Sequence, residues 1–161
     1  MRDVQNEALG SLLQWRFVSG YQSSRADAGS CPLPLLFIVL PILFDEDSAL
    51  VVRSTLRQSG LRAFAAKFVD GPKAHADNLL VFHERALALR LLSLSSLWVA
   101  VDAKLLSIDV SSAGLVALSK TMPRAGIPSS IQALARDASK LGSWCAALTP
   151  HETAVVLKVR F

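Results

Sequence analysis

Apolar residues recur at helical spacing along most of the chain. Between positions 6 and 22, Leu9, Leu12, Leu13, Phe17 and Val18 approximate one stripe, which predicts an amphipathic helix with Asn6 as its cap. Ser23 to Ser30 is small and polar and predicts a loop. The densest apolar run follows, from Cys31 through Leu33, Leu36, Ile38 and Leu40 to Phe44. A membrane-spanning helix needs about 20 apolar residues. This run is shorter, carries Pro32, Pro34 and Pro41, and ends at Asp45-Glu46-Asp47, so a buried core helix is expected. Pro32 and Pro34 suit its start and Pro41 should kink its last turn. Asp45 to Asp47 then offers an N-cap for a helix over about 47–58, with Leu50, Val51 and Leu56 expected to face the core. Ser59-Gly60 breaks that pattern. Leu61, Phe64, Ala65 and Phe68 resume it over 61–69, and Gly71-Pro72 ends it and marks a plausible boundary.

The stretch from 74 to 120 carries the most information. Residues 75–90 predict a helix with Leu79, Leu80, Phe82, Ala86 and Leu87 on its apolar side and His83, Glu84, Arg85 and Arg90 at polar positions. Ser93 or Ser95 is placed to cap a second helix running to about Ala103, with Leu94, Leu97 and Val101 facing the core. Strands at 105–109 and 115–118 flank the turn residues Val110 to Gly114, and Gly114 suits a positive φ. Helix, short turn, helix and β-hairpin together form the winged helix-turn-helix pattern. Pro123, Gly126 and Pro128 mark a linker. Ser129 or Ser130 caps a helix to about 147, with Ile131, Leu134, Ala138, Leu141 and Cys145 on one stripe. Thr149-Pro150-His151-Glu152 is a capping box with proline at the first helical position, opening a last helix over about 150–158. The chain is therefore read as mainly α with a small β-hairpin. Residues 1–71 form a helical N-terminal region. Residues 72–161 form a winged-helix-like region with C-terminal helices, and the two read as one compact unit.

Composition narrows the function. The 161 residues are 52% hydrophobic and 19% charged, with a net charge of +4, which excludes polar disorder and fits one domain or two very small ones. A mean hydropathy of +0.39 leaves more apolar surface than one small core consumes, so a component of a complex is expected. Cys31 and Cys145 form no zinc cluster or disulfide framework. They read as reduced thiols of a cytoplasmic protein, and a single bridge stays compatible with the sequence. The first residues do not pair a charged n-region with an apolar h-region, so no leader is expected. No phosphate-cradling loop, nucleophile elbow or metalloprotease pair is present. His75, His83 and His151 are scattered, and Leu87 stands where a zinc helix beginning at His83-Glu84 would need its second histidine. Cys145 reads as a core residue. The chain is expected to be no enzyme and to hold no cofactor or metal of its own.

Two features bear on partners. Arg53, Arg57, Arg62 and Lys67 lie in a stretch without acids, with Arg53 and Arg57 four apart on the expected helix. They read either as a solvated face or as contacts to phosphate or an acidic partner. The second helix of the winged pattern presents Ser95, Ser96, Trp98, Val99 and Asp102, without Lys or Arg. Readers of the major groove present Arg, Lys, Asn or Gln. That face therefore points to protein contact anchored by Trp98, unless Trp98 packs under the wing.

Several segments resemble the middle components of three-component ABC systems of the Lamassu type. They are Asn6-Glu7-Ala8-Leu9-Gly10, Leu13-Gln14-Trp15-Arg16-Phe17, Cys31 to Phe37 with Leu40-Pro41-Ile42-Leu43, Ser59-Gly60-Leu61-Arg62, His83 to Ala88, and Leu157-Lys158-Val159-Arg160-Phe161. The resemblance implies an accessory subunit in bacterial defence against phage or plasmids. It would dock on an SMC-like ATPase and couple DNA sensing to an effector subunit, a nuclease or other. ATP and magnesium would belong to the ATPase, and non-specific DNA contact would arise within the complex. Trp15, Trp98, Lys158, Arg160 and Phe161 are the expected partner contacts. The alternative is a winged-helix DNA-binding transcriptional regulator.

Overall fold

A computed structural model describes the backbone of residues 2–70 and 78–161, and the side chains of 7–67 and 80–161. The boundary at Gly71-Pro72 and His75 lie outside the described residues, as do the side chains of Asn6, Phe68 and Leu79. The fold is mainly helical, with a small three-stranded antiparallel sheet.

Helix α1 (Arg2–Ser23) runs through the middle of the fold. It starts four residues before the expected cap, so Asn6 lies inside it. Leu13, Phe17 and Val18 are wholly buried, each such side chain worth about 1.5–3 kcal/mol. The polar positions of α1 are buried too, because other elements cover it on several sides. The Gln14 amide donates to the Ser93 carbonyl at 2.9 Å, the Trp15 indole N–H to the Ser119 carbonyl at 2.7 Å, and Gln22 Oε1 accepts from the Ala117 amide at 2.8 Å.

The apolar run is buried as expected but is not one helix. Cys31–Pro32 is a short strand, β1, followed by a 3₁₀ turn over Leu33–Ile38 and then α2 (Val39–Leu43). Pro41 sits in the first turn of α2, where a helix has no N–H bond to lose, so it does not kink a last turn. Helix α3 (Glu46–Ser54) is capped by Asp45, whose carboxylate accepts from the Ser48 amide. It stops at Ser54 because Thr55 is extended. This phase turns Ser48, Ala49 and Val52 inward, while Leu50 and Leu56 face solvent and Val51 is half-buried. Helix α4 (Gly60–Asp70) buries Leu61 and Phe64.

Helices α5 (Asn78–Ala88) and α6 (Arg90–Asp102) meet at the single residue Leu89. Its amide bonds to the Arg85 carbonyl and its carbonyl accepts from Ser93, so the hydrogen-bond ladder runs through the joint. A helix-turn-helix needs a turn of three to four residues there. The winged-helix reading thus lacks its turn, and Ser93 is buried inside α6 rather than capping it. The hairpin is present, as β2 (Leu106–Asp109) and β3 (Gly114–Ala117). β3 is central, pairing Asp109↔Gly114 on one side and Cys31↔Leu115 on the other. The positive φ expected at Gly114 falls on Ala113, at 51°. Gly114 instead gives room to Ser30, against which any Cβ would collide.

Helix α7 (Ser129–Ala146) crosses α1 closely, through Gly20 and Gly142. No side chain caps it, and Pro128 holds the cap position. Its inward stripe is Ala135, Ala138, Leu141, Trp144 and Cys145, with Ile131 and Leu134 half-buried. The capping box of α8 (Pro150–Leu157) is complete: Thr149 Oγ1 accepts from Glu152 N at 3.1 Å and Glu152 Oε2 from Thr149 N at 2.7 Å. No helix among the described residues is long and apolar enough to cross a membrane.

Candidate interaction surfaces

Helix α6 turns Leu91, Leu94 and Trp98 outward. Its inner face is Ser93, Ser96, Leu97 and Ala100, packed on α1 where Gly10 leaves space for Ser96. Small residues bring the two backbones together and turn the rest of the helix outward. Leu91 is 78% exposed and Trp98 70%, with Leu94 at the margin and Leu80, Val81 and Leu87 exposed on α5. Leu80, Leu87 and Leu94 therefore do not serve the core, contrary to expectation, whereas Leu97 is buried as expected. Leu80, Leu87, Leu91, Leu94 and Trp98 follow one another at steps of seven, four, three and four, the spacing of a coiled-coil seam. Glu84 interrupts the row. The solvent face from Leu91 to Asp102 carries no Lys or Arg.

A second surface is cationic. Arg16 of α1, Arg53 of α3, Arg57 and, from α7, Arg136 and Lys140 line a cleft of about 500 Å³. Asp137 is the one acid among its lining residues, and Arg53 binds it at 2.8 Å. The Lys140 ammonium donates to the carbonyls of Val52, Arg53 and Thr55 and so closes the end of α3. Burial pushes its pKa down; the Asp137 carboxylate opposes this, and the charges of Arg57, Arg53 and Lys67 add smaller downward contributions. Burial also lowers that of Arg16, whose guanidinium donates to the Lys120 carbonyl. The expected basic stretch thus divides. Arg53 and Arg57 share the cleft although α3 ends between them. Arg62 is exposed on α4, and Lys67 donates to the Ser54 carbonyl. Arg16, Arg136 and Lys140 were not anticipated, because nothing in their local sequence links positions so far apart.

The model of Middle Component 3 of the ABC-three component (ABC-3C) systems matches residues 1–161. The chain belongs to that family. No curated protein and no solved structure matches it.

The other expected contacts of this middle component are placed as follows. Trp15 is buried. Lys158 is an exposed left-handed residue that ends α8, so the chain turns and buries Val159. Arg160 and half-exposed Phe161 then join Phe37, His83, Leu87 and Arg90 around a groove of about 190 Å³. This groove shares Leu87 with the apolar row. Among the described residues no three His, Cys, Asp or Glu side chains converge on a metal position. Cys31 and Cys145 are free and buried, and burial pushes the Cys145 thiol up to about 12, far from nucleophilic character.

Proposed function

We propose that this middle component is a non-enzymatic accessory subunit of a Lamassu-type defence complex against phage or plasmids. Its α5–α6 face docks on an SMC-like ATPase, which supplies the ATP and magnesium chemistry in the cytoplasm. The docked subunit couples sensing of foreign DNA to an effector such as a nuclease.

The observation that carries this reading is the outward row of Leu80, Leu87, Leu91, Leu94 and Trp98. Covering these partly exposed side chains is worth on the order of 5–10 kcal/mol. Association itself costs about 4–15 kcal/mol. The row alone is thus marginal, and the adjoining groove at Leu87 and Phe161 extends it. The regulator reading lacks comparable support, since α6 offers no basic side chain from Leu91 onward.

The test is co-expression with the ATPase encoded beside this chain, followed by size exclusion. The two should co-elute at micromolar concentration. The double variant Leu91→Asp, Trp98→Asp should elute apart from the ATPase while keeping its helical circular dichroism. Separate elution of the unaltered chain would defeat the reading. Co-elution of the double variant would move the docking surface elsewhere.

A further inference from the structure

The cationic cleft has a surplus that the fold does not use. Arg53 is spent on Asp137, and Lys140 on three backbone carbonyls. Among the described residues, no hydrogen bond or ion pair engages the guanidinium of Arg57 or Arg136. Both are exposed at the cleft, beside Arg16. Like charges that line one cleft repel one another. A structural role would be served better by acids, yet Asp137 is the one acid present.

The chemistry of the lining selects the ligand. Arginine presents planar, forked donors that match phosphate oxygens in pairs. No aromatic ring lines the cleft, so no base has a stacking platform. No Asn or Gln lines it either, so adenine has no amide partner there. The lining suits phosphates in series rather than a nucleobase. Helices α1, α3 and α7 supply it from the core, and the exposed 3₁₀ turn at Arg57–Ser59 is tied to α7 by the Trp144 indole N–H, which donates to the Arg57 carbonyl at 2.8 Å.

We infer that this cleft binds the sugar–phosphate backbone of nucleic acid without reading its sequence. Arg57 and Arg136 contact phosphates, Arg16 adds its charge, and the Arg53–Asp137 pair and Lys140 hold the walls. The assignment does not rest on the docking role of α5–α6. Helices α6 and α7 each pack on α1 and scarcely touch each other, so the two surfaces are altered separately.

The experiment is fluorescence anisotropy of a labelled 30-base-pair duplex, about three helical turns long, titrated with the full chain between 50 and 200 mM salt, conditions over which phosphate contacts are strongly screened. Binding should weaken by roughly tenfold or more across that range, and each phosphate contact removed should lower the log–log salt slope by about 0.9. Arg57→Ala with Arg136→Ala should weaken binding at least tenfold at low salt. Arg62→Ala, outside the cleft, should leave it unchanged. Two duplexes of unrelated sequence should bind within about twofold of each other. Absence of binding at 50 mM salt, full binding by the double variant, or tighter binding of ATP or polyglutamate than of duplex would overturn the assignment. Absence of duplex binding by the unaltered chain, with its ATPase co-elution intact, would identify a failure of this inference alone.

Discussion

Arg53 and Asp137 meet across 84 residues of sequence, with Nε and Nη2 of the guanidinium both donating to one carboxylate oxygen, at 3.2 and 2.8 Å. Asp137 is buried and Arg53 is about half exposed, so solvent screens part of the attraction. The pair ties α3 to α7 and is also the acid side of the basic cleft. Asp137→Ala should therefore act in two directions. Stability should fall by about 1–2 kcal/mol, the cost of losing charge-assisted bonds that are partly solvated, read from the urea midpoint. Duplex affinity should rise, because the cleft loses its one acid. A fall in both would separate Asp137 from the cleft's electrostatics.

The crossing of α1 and α7 tolerates no side chain at Gly142. A Cβ there would stand 2.9 Å from the Tyr21 amide nitrogen, on helix backbone that is itself packed on its far side. Gly142→Ala should cost about 3 kcal/mol or more despite its better helix propensity. For a chain of this size that is a drop of roughly 6–12 °C in Tm. A variant as stable as the parent would show that the helices separate freely.

Trp98 offers a direct optical check on the outward face. Trp15 and Trp144 are buried with their indole N–H groups bonded to backbone carbonyls, while Trp98 is exposed. Acrylamide should quench the parent strongly and the Trp98→Phe variant weakly. Trp98→Ala should change stability by less than about 0.5 kcal/mol, as for a surface site. A blue shift of emission on adding the ATPase, absent in Trp98→Phe, would place Trp98 in the contact.

How far the sequence reveals this molecule depends on how local the cause is. The Thr149–Glu152 capping box and the Asp45 cap are fixed within four residues, and both were legible. The β-hairpin was legible because Asp109 to Gly114 carries its own turn chemistry, and Asp109 does accept from Ser111 and Ser112. Burial was legible only where the apolar pattern served the core. In α6 the core is served by Ser93, Ser96 and Ala100 together with Leu97, so the assumption that leucines point inward held at Leu97 but failed at Leu94, as it did at Leu80 and Leu87 of α5. The helix-turn-helix failed at Leu89, where no breaker residue forces a turn and the hydrogen-bond ladder continues. The basic cleft was half legible: Arg53 and Arg57 are close in sequence, whereas Arg16, Arg136 and Lys140 reach it through the packing of α1 against α7.

The Glu152 carboxylate gives a pH dependence with a definite sign. Its bond from the Thr149 amide, the largest cause, holds its pKa below the usual carboxylate value in the folded chain. The contribution is present above the unfolded pKa and is lost as pH falls through the folded one. Glu152→Gln should therefore flatten the acid limb of the stability curve below about pH 4.5, the usual glutamate range. Thr149→Ala should lower stability by about 1 kcal/mol at neutral pH. An unchanged acid limb in Glu152→Gln would mean that the box contributes nothing through its charge.

Cys145 acts at the opposite end of the pH scale. Burial raises its thiol from 9.0 to about 12. A raised pKa contributes stability that is fully present below the unfolded value and is lost as pH climbs through the folded value. Stability should thus decline between pH 9 and 12, and Cys145→Ala should show a shallower decline over that window. Cys31 is raised for the same reason and will share the effect, so the two single variants should each remove part of it and the double variant most. Reaction with a thiol reagent at pH 8 should occur at the rate of unfolding, because the folded chain exposes neither sulfur. Rapid labelling of the folded chain would show that the core around α1 and α7 opens locally, and would also undo the assignment of both cysteines as core residues.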